Sequence, residues 1–163
     1  MQLRILLAAM SMICGSASAQ TGASMVDGDW IGKGSVQLGP LVLACSEIKI
    51  KFIGTSTLYG TRGASIVCEN VKNSYADNDD YEVKPNNELY HNNRKVGNIV
   101  GNELAFVAPE AGEAESELTL RREGDLLYYY QVVRKPGQRP DYGVVAIMEK
   151  DLNADSSHPA ATR

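Results

Sequence analysis

The stretch EIKIKF, residues 47–52, decides the fold class of this 163-residue chain. Apolar Ile48, Ile50 and Phe52 alternate here with charged side chains. Successive side chains of a β-strand point to opposite faces, so this alternation predicts a strand with one buried and one solvated face. A strand of that kind is typical of an antiparallel sheet packed on a core.

Similar alternation continues on both sides of this stretch, broken by turn residues about every 8–12 positions. The edge strands of an open sheet carry unpaired backbone groups that can pair with other chains. We therefore expect the sheet to close on itself. The sequence therefore predicts an all-β domain, an antiparallel meander closed into one small barrel of about 8–10 strands. Besides the strand at 47–52, the predicted strands are residues 30–38, 57–67, 81–84, 88–91, 95–100, 103–107, 117–121, 126–134 and 142–149.

The first 19 residues have the pattern of an export signal. Arg4 precedes a short apolar run, and the run is followed by small residues ending at Ala19. Such a pattern predicts cleavage after Ala19 and release outside the reducing cytosol, in the periplasm or as a secreted protein. No later segment approaches about 18 consecutive apolar residues, so we do not expect a membrane-spanning protein. The rest divides into a linker at 20–26, the barrel at 27–151 and a polar, disordered tail at 152–163.

Two cysteines remain after the predicted cleavage. Cys14 leaves with the signal, whereas Cys45 and Cys68 stay in the mature chain. In an oxidising compartment such a pair favours a disulfide, which the chain-entropy model values at about 3 kcal/mol for a loop of roughly 24 residues. The alternative is a reactive or metal-binding thiol pair, but the spacing is not that of a C-x-x-C motif.

Charge and motifs argue against several classes of function. The chain has 16 basic and 20 acidic residues. Since Arg4 leaves with the signal, 15 basic residues remain, and the mature net charge is about −5. An acidic chain without a basic cluster is a poor partner for nucleic acid. His91 and His158 lie in no recognisable catalytic frame. We therefore predict no enzyme activity, no metal site and no cofactor.

The tripeptide Gly28-Asp29-Trp30 stands at the start of the first predicted strand. It resembles the Gly-x-Trp signature of the lipocalins and their calycin relatives. The resemblance implies a calycin-like barrel in which Trp30 closes the floor beneath a basic side chain from the end of the last strand. Lys150 follows the last predicted strand directly and is the candidate for that role. Small exported inhibitors of proteases and lysozymes are similar, since some begin with a like tripeptide.

Three consecutive tyrosines occupy a stretch that is apolar on both faces. Tyr128 and Tyr130 share one face of the predicted strand, and Tyr129 shares the other with Leu127 and Val133. Tyrosine combines apolar area with a polar tip, which suits both cavity walls and protein interfaces. The residues expected to line a ligand cavity are Ile48, Ile50, Phe52, Tyr128 and Tyr130.

Two functions fit these features. The first is an exported soluble protein that binds a small hydrophobic or amphipathic ligand inside a calycin-like barrel. The alternative is a protein-interaction barrel that inhibits a protease or a lysozyme through a loop at residues 70–80 or 135–140. A cavity of a few hundred cubic ångströms would favour the ligand, and a filled barrel would favour a protein target.

Overall fold

The computed structural model describes residues 22–69, 71–76 and 79–154. The predicted export signal and the end of the predicted tail lie outside these residues. Within them, no helix is both long and apolar enough to cross a membrane. The two short 3-10 helices are Gly22–Met25 and Ala111–Glu113. The strands are β1 Gly28–Leu38, β2 Leu41–Gly54, β3 Leu58–Cys68, β4 Val71–Tyr75, β5 Asp80–Val83, β6 Glu88–His91, β7 Arg94–Val100, β8 Glu103–Pro109, β9 Glu115–Glu123, β10 Leu126–Arg134 and β11 Tyr142–Lys150.

The strands form one antiparallel sheet that closes on itself. From β5 to β11 each strand pairs with the next, β11 pairs with β1, and β1 pairs with β2. The pairing of β2 with β3, together with that of β3 with β5, completes a ten-strand barrel. The prediction of an all-β meander closed into a single barrel is confirmed, and the architecture is consistent with a calycin-like barrel.

The strand β4 lies beside the barrel and was not expected. Residues 64–68 of β3 pair with β4, whereas residues 58–60 pair with β5. The sequence predicts a polar loop over 70–80, because this stretch is polar and shows no apolar alternation. In the structure, all five residues of β4 are exposed. Its antiparallel pairing with β3 holds the strand in place.

A disulfide joins two adjacent strands of the barrel. Cys45 on β2 and Cys68 on β3 lie opposite each other, and their sulfur atoms are 2.01 Å apart. The predicted pairing is therefore confirmed, in keeping with an oxidising environment.

The segment before β1 closes one end of the barrel. Residues 20–26 were expected to form a linker, but Ala23, Met25 and Val26 are fully buried. Ala23 packs so closely that a Cβ placed on Gly54, at the end of β2, would lie 1.9 Å from its carbonyl oxygen. The apolar side chains of this short segment pack into a core formed by the ends of the strands. The seven residues alone do not predict this packing, because distant parts of the chain form that core. We call this end, formed by residues 22–30, the floor.

Candidate functional site

The floor is organised around one buried tryptophan. The indole Nε1 of Trp30 donates a hydrogen bond to the carbonyl of Val26 at 2.7 Å. The ammonium of Lys150 lies 4.4 Å from the centroid of the Trp30 ring, and the guanidinium of Arg122 lies 5.8 Å from it. The structure thus brings Trp30 and Lys150 together at the barrel end.

The two cations at the floor also hold the chain segment that covers it. The Lys150 ammonium donates to the carbonyl of Asp27, and Arg122 donates to the carbonyl of Met25 at 2.9 Å. Burial lowers the pKa of Lys150, while the nearby charge of Asp27 opposes that shift. These contacts hold the covering segment against Trp30 at the floor.

Three of the predicted cavity residues lie inside the barrel. Ile48, Ile50 and Phe52 are all buried, at 0%, 4% and 1% exposure. The Phe52 ring packs against Tyr59 and Tyr129, with centroids 6.1 and 6.3 Å apart. These side chains fill the middle of the barrel as a packed core.

Tyr128 and Tyr130 lie on the outside of the barrel, contrary to the expectation that they line its interior. Leu127 and Tyr129 point inward, which leaves Tyr130 with 39% of its surface exposed and places Arg121 over the Tyr128 ring at 5.2 Å. Because β10 is apolar on both faces, its sequence does not fix which face turns inward. The pairing of Leu127 with Met148 and of Tyr129 with Ala146, both buried, fixes it in the fold.

A pocket of about 90 Å³ lies at the end of the barrel opposite the floor. The strand β9 runs from Ser116 at this pocket to Arg122 at the floor, roughly 20 Å away at the usual rise per residue. We call this cavity the open-end pocket. Its lining residues are Tyr59, Thr61, Tyr75, Asp79, Tyr81, Phe106, Glu110, Ser116, Leu118, Tyr129 and Gln131.

Aromatic rings form much of the wall of the open-end pocket. Tyr81 and Phe106 have centroids 4.4 Å apart, and the Tyr59 ring is 5.7 Å from Tyr81 and 6.0 Å from Phe106. All three side chains are at most 7% exposed. They are therefore held by the core and present a rigid aromatic surface.

A chain of polar groups occupies the opposite part of the wall. The hydroxyl of Tyr129 donates to the side-chain oxygen of Gln131 at 2.6 Å. The amide nitrogen of Gln131 donates in turn to the hydroxyl oxygen of Ser116 at 3.3 Å. Ser116 is itself buried, at 3% exposure. Buried polar groups cost free energy unless they are satisfied, so this chain stabilises a polar lining inside an otherwise apolar barrel.

The rim of the open-end pocket is acidic. Asp79 and Glu110 both line it and are exposed, whereas no described lining residue is Lys or Arg. The nearby Arg62 is paired with Asp80 at 2.5 Å.

Sequence reasoning missed most of this pocket. The predicted cavity lining does not include Tyr59, and it places Tyr129 on the face opposite the cavity. Ser116 and Gln131 are polar residues at inward positions, which binary patterning predicts to be outward. The inward positions of Leu118 and Leu120 on β9, counted back in steps of two, would have placed Ser116 inside.

Comparison with known proteins supports the fold alone. The crystal structure of Rv2717c from M. tuberculosis is similar to this chain, with a TM-score of 0.51. It is 17% identical in sequence, and the match covers 78% of this chain and 93% of that chain. No family model matches the sequence, and no curated protein matches it.

The outside of the barrel carries a second feature of interest. Tyr130 on β10 lies opposite Val145 on β11, and Ile147 lies two residues further along β11. Val145 and Ile147 are 51% and 53% exposed. We call these three residues the outer apolar face.

Proposed function

We propose that this protein is an exported binding protein, periplasmic or secreted, that holds a small amphipathic ligand in the open-end pocket of a calycin-like barrel. The observation that carries the proposal is the pocket itself, with aromatic and polar walls. Amphipathic ligands need such a pairing of apolar walls with a few placed polar groups. The disulfide between Cys45 and Cys68 supports export, because such bonds persist in oxidising compartments.

The pocket volume narrows the ligand class. About 90 Å³ is well below the roughly 300–1,000 Å³ of sites for drug-sized molecules. The filled core beneath it, formed in part by Phe52 and Tyr59, leaves no depth for an acyl chain. The filled barrel does not meet the expectation of a cavity of a few hundred cubic ångströms, so we propose a ligand the size of a small headgroup rather than a lipid or another large hydrophobic molecule.

Native mass spectrometry tests this proposal. The mature protein, purified from its own export compartment with the disulfide intact, should carry a small added mass that disappears on denaturation. Ser116→Leu fills the pocket and should abolish the added mass. Thr119→Leu places the same side chain on the outer face of the same strand and should leave the added mass unchanged. An added mass that persists in Ser116→Leu would contradict binding in the open-end pocket.

A second candidate function, inhibition of a protease or a lysozyme, is favoured by the filled core of the barrel and by the outer apolar face. Exposed apolar side chains in adjacent strands often mark protein interfaces, and tyrosine is enriched in them. With a mature net charge of about −5, the chain would attract a basic target such as a lysozyme.

An inhibition assay separates the two functions. If this candidate is right, the protein should slow a basic lysozyme or a protease in steady-state assays, and Ile147→Ser should weaken that inhibition. Ser116→Leu should have no effect on it. Inhibition that is lost in Ser116→Leu and unchanged in Ile147→Ser would rule out the outer apolar face as the interface.

A further inference from the structure

We propose that the edge of β2 at residues 41–44 binds an extended, uncharged segment of another protein, which adds to the sheet as a further strand. We call these four residues the free edge. The juxtaposition that carries the proposal is an unpaired strand edge in an apolar hairpin that is fixed at both ends. The free edge includes no residue of the open-end pocket or of the outer apolar face.

The free edge exists because β3 ends before it reaches the start of β2. The ladder between β2 and β3 stops at the Cys45–Cys68 pair, whereas β2 extends back to Leu41 with β1 as its only neighbour there. After Cys68 the chain turns into β4, which pairs with the far side of β3. Within the described part of the chain, no strand therefore lies beside residues 41–44 in line with β3.

Backbone hydrogen-bonding groups point towards this position. The two-residue turn at 39–40 closes the hairpin of β1 and β2 on the pair of Leu38 and Leu41. Backbone groups of alternate residues point to opposite edges of a strand, so those of Leu41 face β1 and those of Val42 face the free edge. The amide of Ala44, two residues further on, points the same way. These groups can bind the backbone of an incoming strand.

The side chains around the free edge are apolar and uncharged. Val42 and Leu41 are 62% and 52% exposed, and no residue from 34 to 46 is charged. Proteins commonly protect exposed sheet edges with charged side chains, especially lysine. The edge strand β4 has such a residue in Lys72, whereas the free edge has none. An incoming strand would meet aliphatic side chains, which favours uncharged, β-branched residues in it.

Both ends of the free edge are held in place before a partner binds. The backbone nitrogen of Gly39, in the hairpin turn, donates to the carbonyl of Asp141 at 2.9 Å. At the other end, the disulfide joins Cys45 to Cys68. A preorganised edge loses little conformational entropy on binding, which favours recognition of a peptide by strand addition.

The strand register favours a different chain over a second copy of this one. An antiparallel self-pairing centred on Val42 places Pro40 of the second copy opposite Ala44, and proline has no N–H group to donate. Gly39 of the second copy then falls opposite Cys45, where Cys68 already lies. The free edge instead fits a segment of about four residues, roughly 13 Å long, that ends or turns beside Cys68.

Isothermal titration with two matched peptides tests the proposal. The probe is acetyl-Thr-Val-Ile-Val-Thr-amide, and its control has the same side chains with N-methyl groups on the three central residues. We expect the probe to bind saturably and at least about tenfold more tightly than the control, since methylation removes backbone donors. Hydrogen exchange at the amides of Val42 and Ala44 should slow in the complex. The amide of Leu43, which faces β1, should be unchanged.

Substitutions at one position separate the backbone contribution from that of the side chain. Val42→Pro removes the N–H group that faces the free edge and leaves the hydrogen bonds to β1 in place. It should bind the probe at least about tenfold more weakly. Val42→Thr keeps the amide and the branched shape, so it should bind within about threefold of the wild type. Urea denaturation establishes that both variants are folded.

Several results would overturn the proposal. They are equal binding of the two peptides, unchanged binding by Val42→Pro, protection confined to β4, and no binding of the probe at about 1 mM. A dimer of the protein alone that Val42→Pro abolishes would assign the free edge to a second copy instead. Ser116→Leu should bind the probe like the wild type, so failure of the pocket function and failure of this proposal are distinguishable.

Discussion

At the scale of single residues, Trp30 shows how one side chain closes a barrel. Its ring faces the Lys150 ammonium, and its indole nitrogen is satisfied by the Val26 carbonyl. The resemblance of residues 28–30 to the calycin signature predicted this residue and its cationic partner. The carbonyl partner could not be predicted, because residues 20–26 gave no sign of packing beneath the barrel.

Replacing this indole tests its role at the floor. Trp30→Phe should lower the free energy of unfolding by about 2 kcal/mol, because it leaves a cavity and deprives the buried Val26 carbonyl of its donor. Urea denaturation measures the change. A loss of less than about 0.5 kcal/mol would indicate that the floor does not depend on the indole.

Tyr142, at the start of β11, gives a dependence of stability on pH. Burial raises the pKa of Tyr142 above its ordinary value. The unfolded phenol loses its proton near pH 10 while the folded one retains it, so stability is lost as the pH rises above about 10. Burial lowers the pKa of Lys150, so the contribution of this group to stability increases as the pH rises towards the ordinary pKa of lysine.

The phenylalanine variant isolates the contribution of this phenol. Between pH 9 and pH 11, Tyr142→Phe should lose less stability than the wild type in urea denaturation. Tyr130→Phe removes an exposed phenol and should behave like the wild type. Lys150 is present in all three proteins and cancels. Identical pH profiles for Tyr142→Phe and the wild type would contradict the assigned shift.

At the scale of elements, the segment ending at Met25 acts as part of the core. It packs onto the end of β2, where the backbone nitrogen of Gly54 donates to the Asp27 carboxylate at 2.9 Å. Only glycine fits there, since any Cβ would meet the Ala23 carbonyl oxygen. The floor therefore depends on a close approach between two backbones.

A glycine substitution should detach this segment. Gly54→Ala is expected to destabilise the protein by about 2 kcal/mol or more and to shift the Trp30 fluorescence to the red as water reaches the ring. Gly143→Ala is the control, because a Cβ there meets its nearest neighbour at an ordinary 3.4 Å. Similar spectra and stability for the two variants would contradict the packing of the floor.

The disulfide links β2 to β3, where the barrel closes between strands that are consecutive in sequence. Replacing Cys45 and Cys68 with alanine should reduce the free energy of unfolding by about 3 kcal/mol, mainly through greater freedom of the unfolded chain. Urea denaturation of the oxidised wild type and of the double variant measures the effect. An unchanged midpoint would show that pairing of β2 with β3 already holds this region without the bond.

Strand prediction succeeded where alternation was strong and failed where it was absent. Ile48, Ile50 and Phe52 turn inward as expected, and the strand at Glu88–His91 has the predicted bounds. The strand β4 could not be predicted, because its five exposed residues carry no periodic apolar signal. Its pairing is fixed by β3, which continues past β5 and leaves a backbone edge to be satisfied.

At the scale of the whole molecule, barrel closure separates an inner surface from an outer one. The alternation of apolar and polar residues predicted that the two surfaces exist. The strand register decides which tyrosines point into the barrel and which point outward. For this reason the fold class was predictable, whereas the open-end pocket, built from β3, β5, β8, β9 and β10, was not. Its polar inner groups, Ser116 and Gln131, become explicable only once the core beneath them is known.

One measurement tests the central claim most directly, namely that a small ligand binds in the open-end pocket. A ¹H–¹⁵N NMR comparison of the mature protein as purified from its own export compartment with the same protein after denaturation, removal of small molecules and refolding reports the place of a bound ligand residue by residue. We predict shift differences in the Gln131 side-chain amide and the Ser116 backbone amide, with Val145 and Ile147 unchanged. Differences confined to the outer apolar face, or no differences between the two samples, would contradict the account.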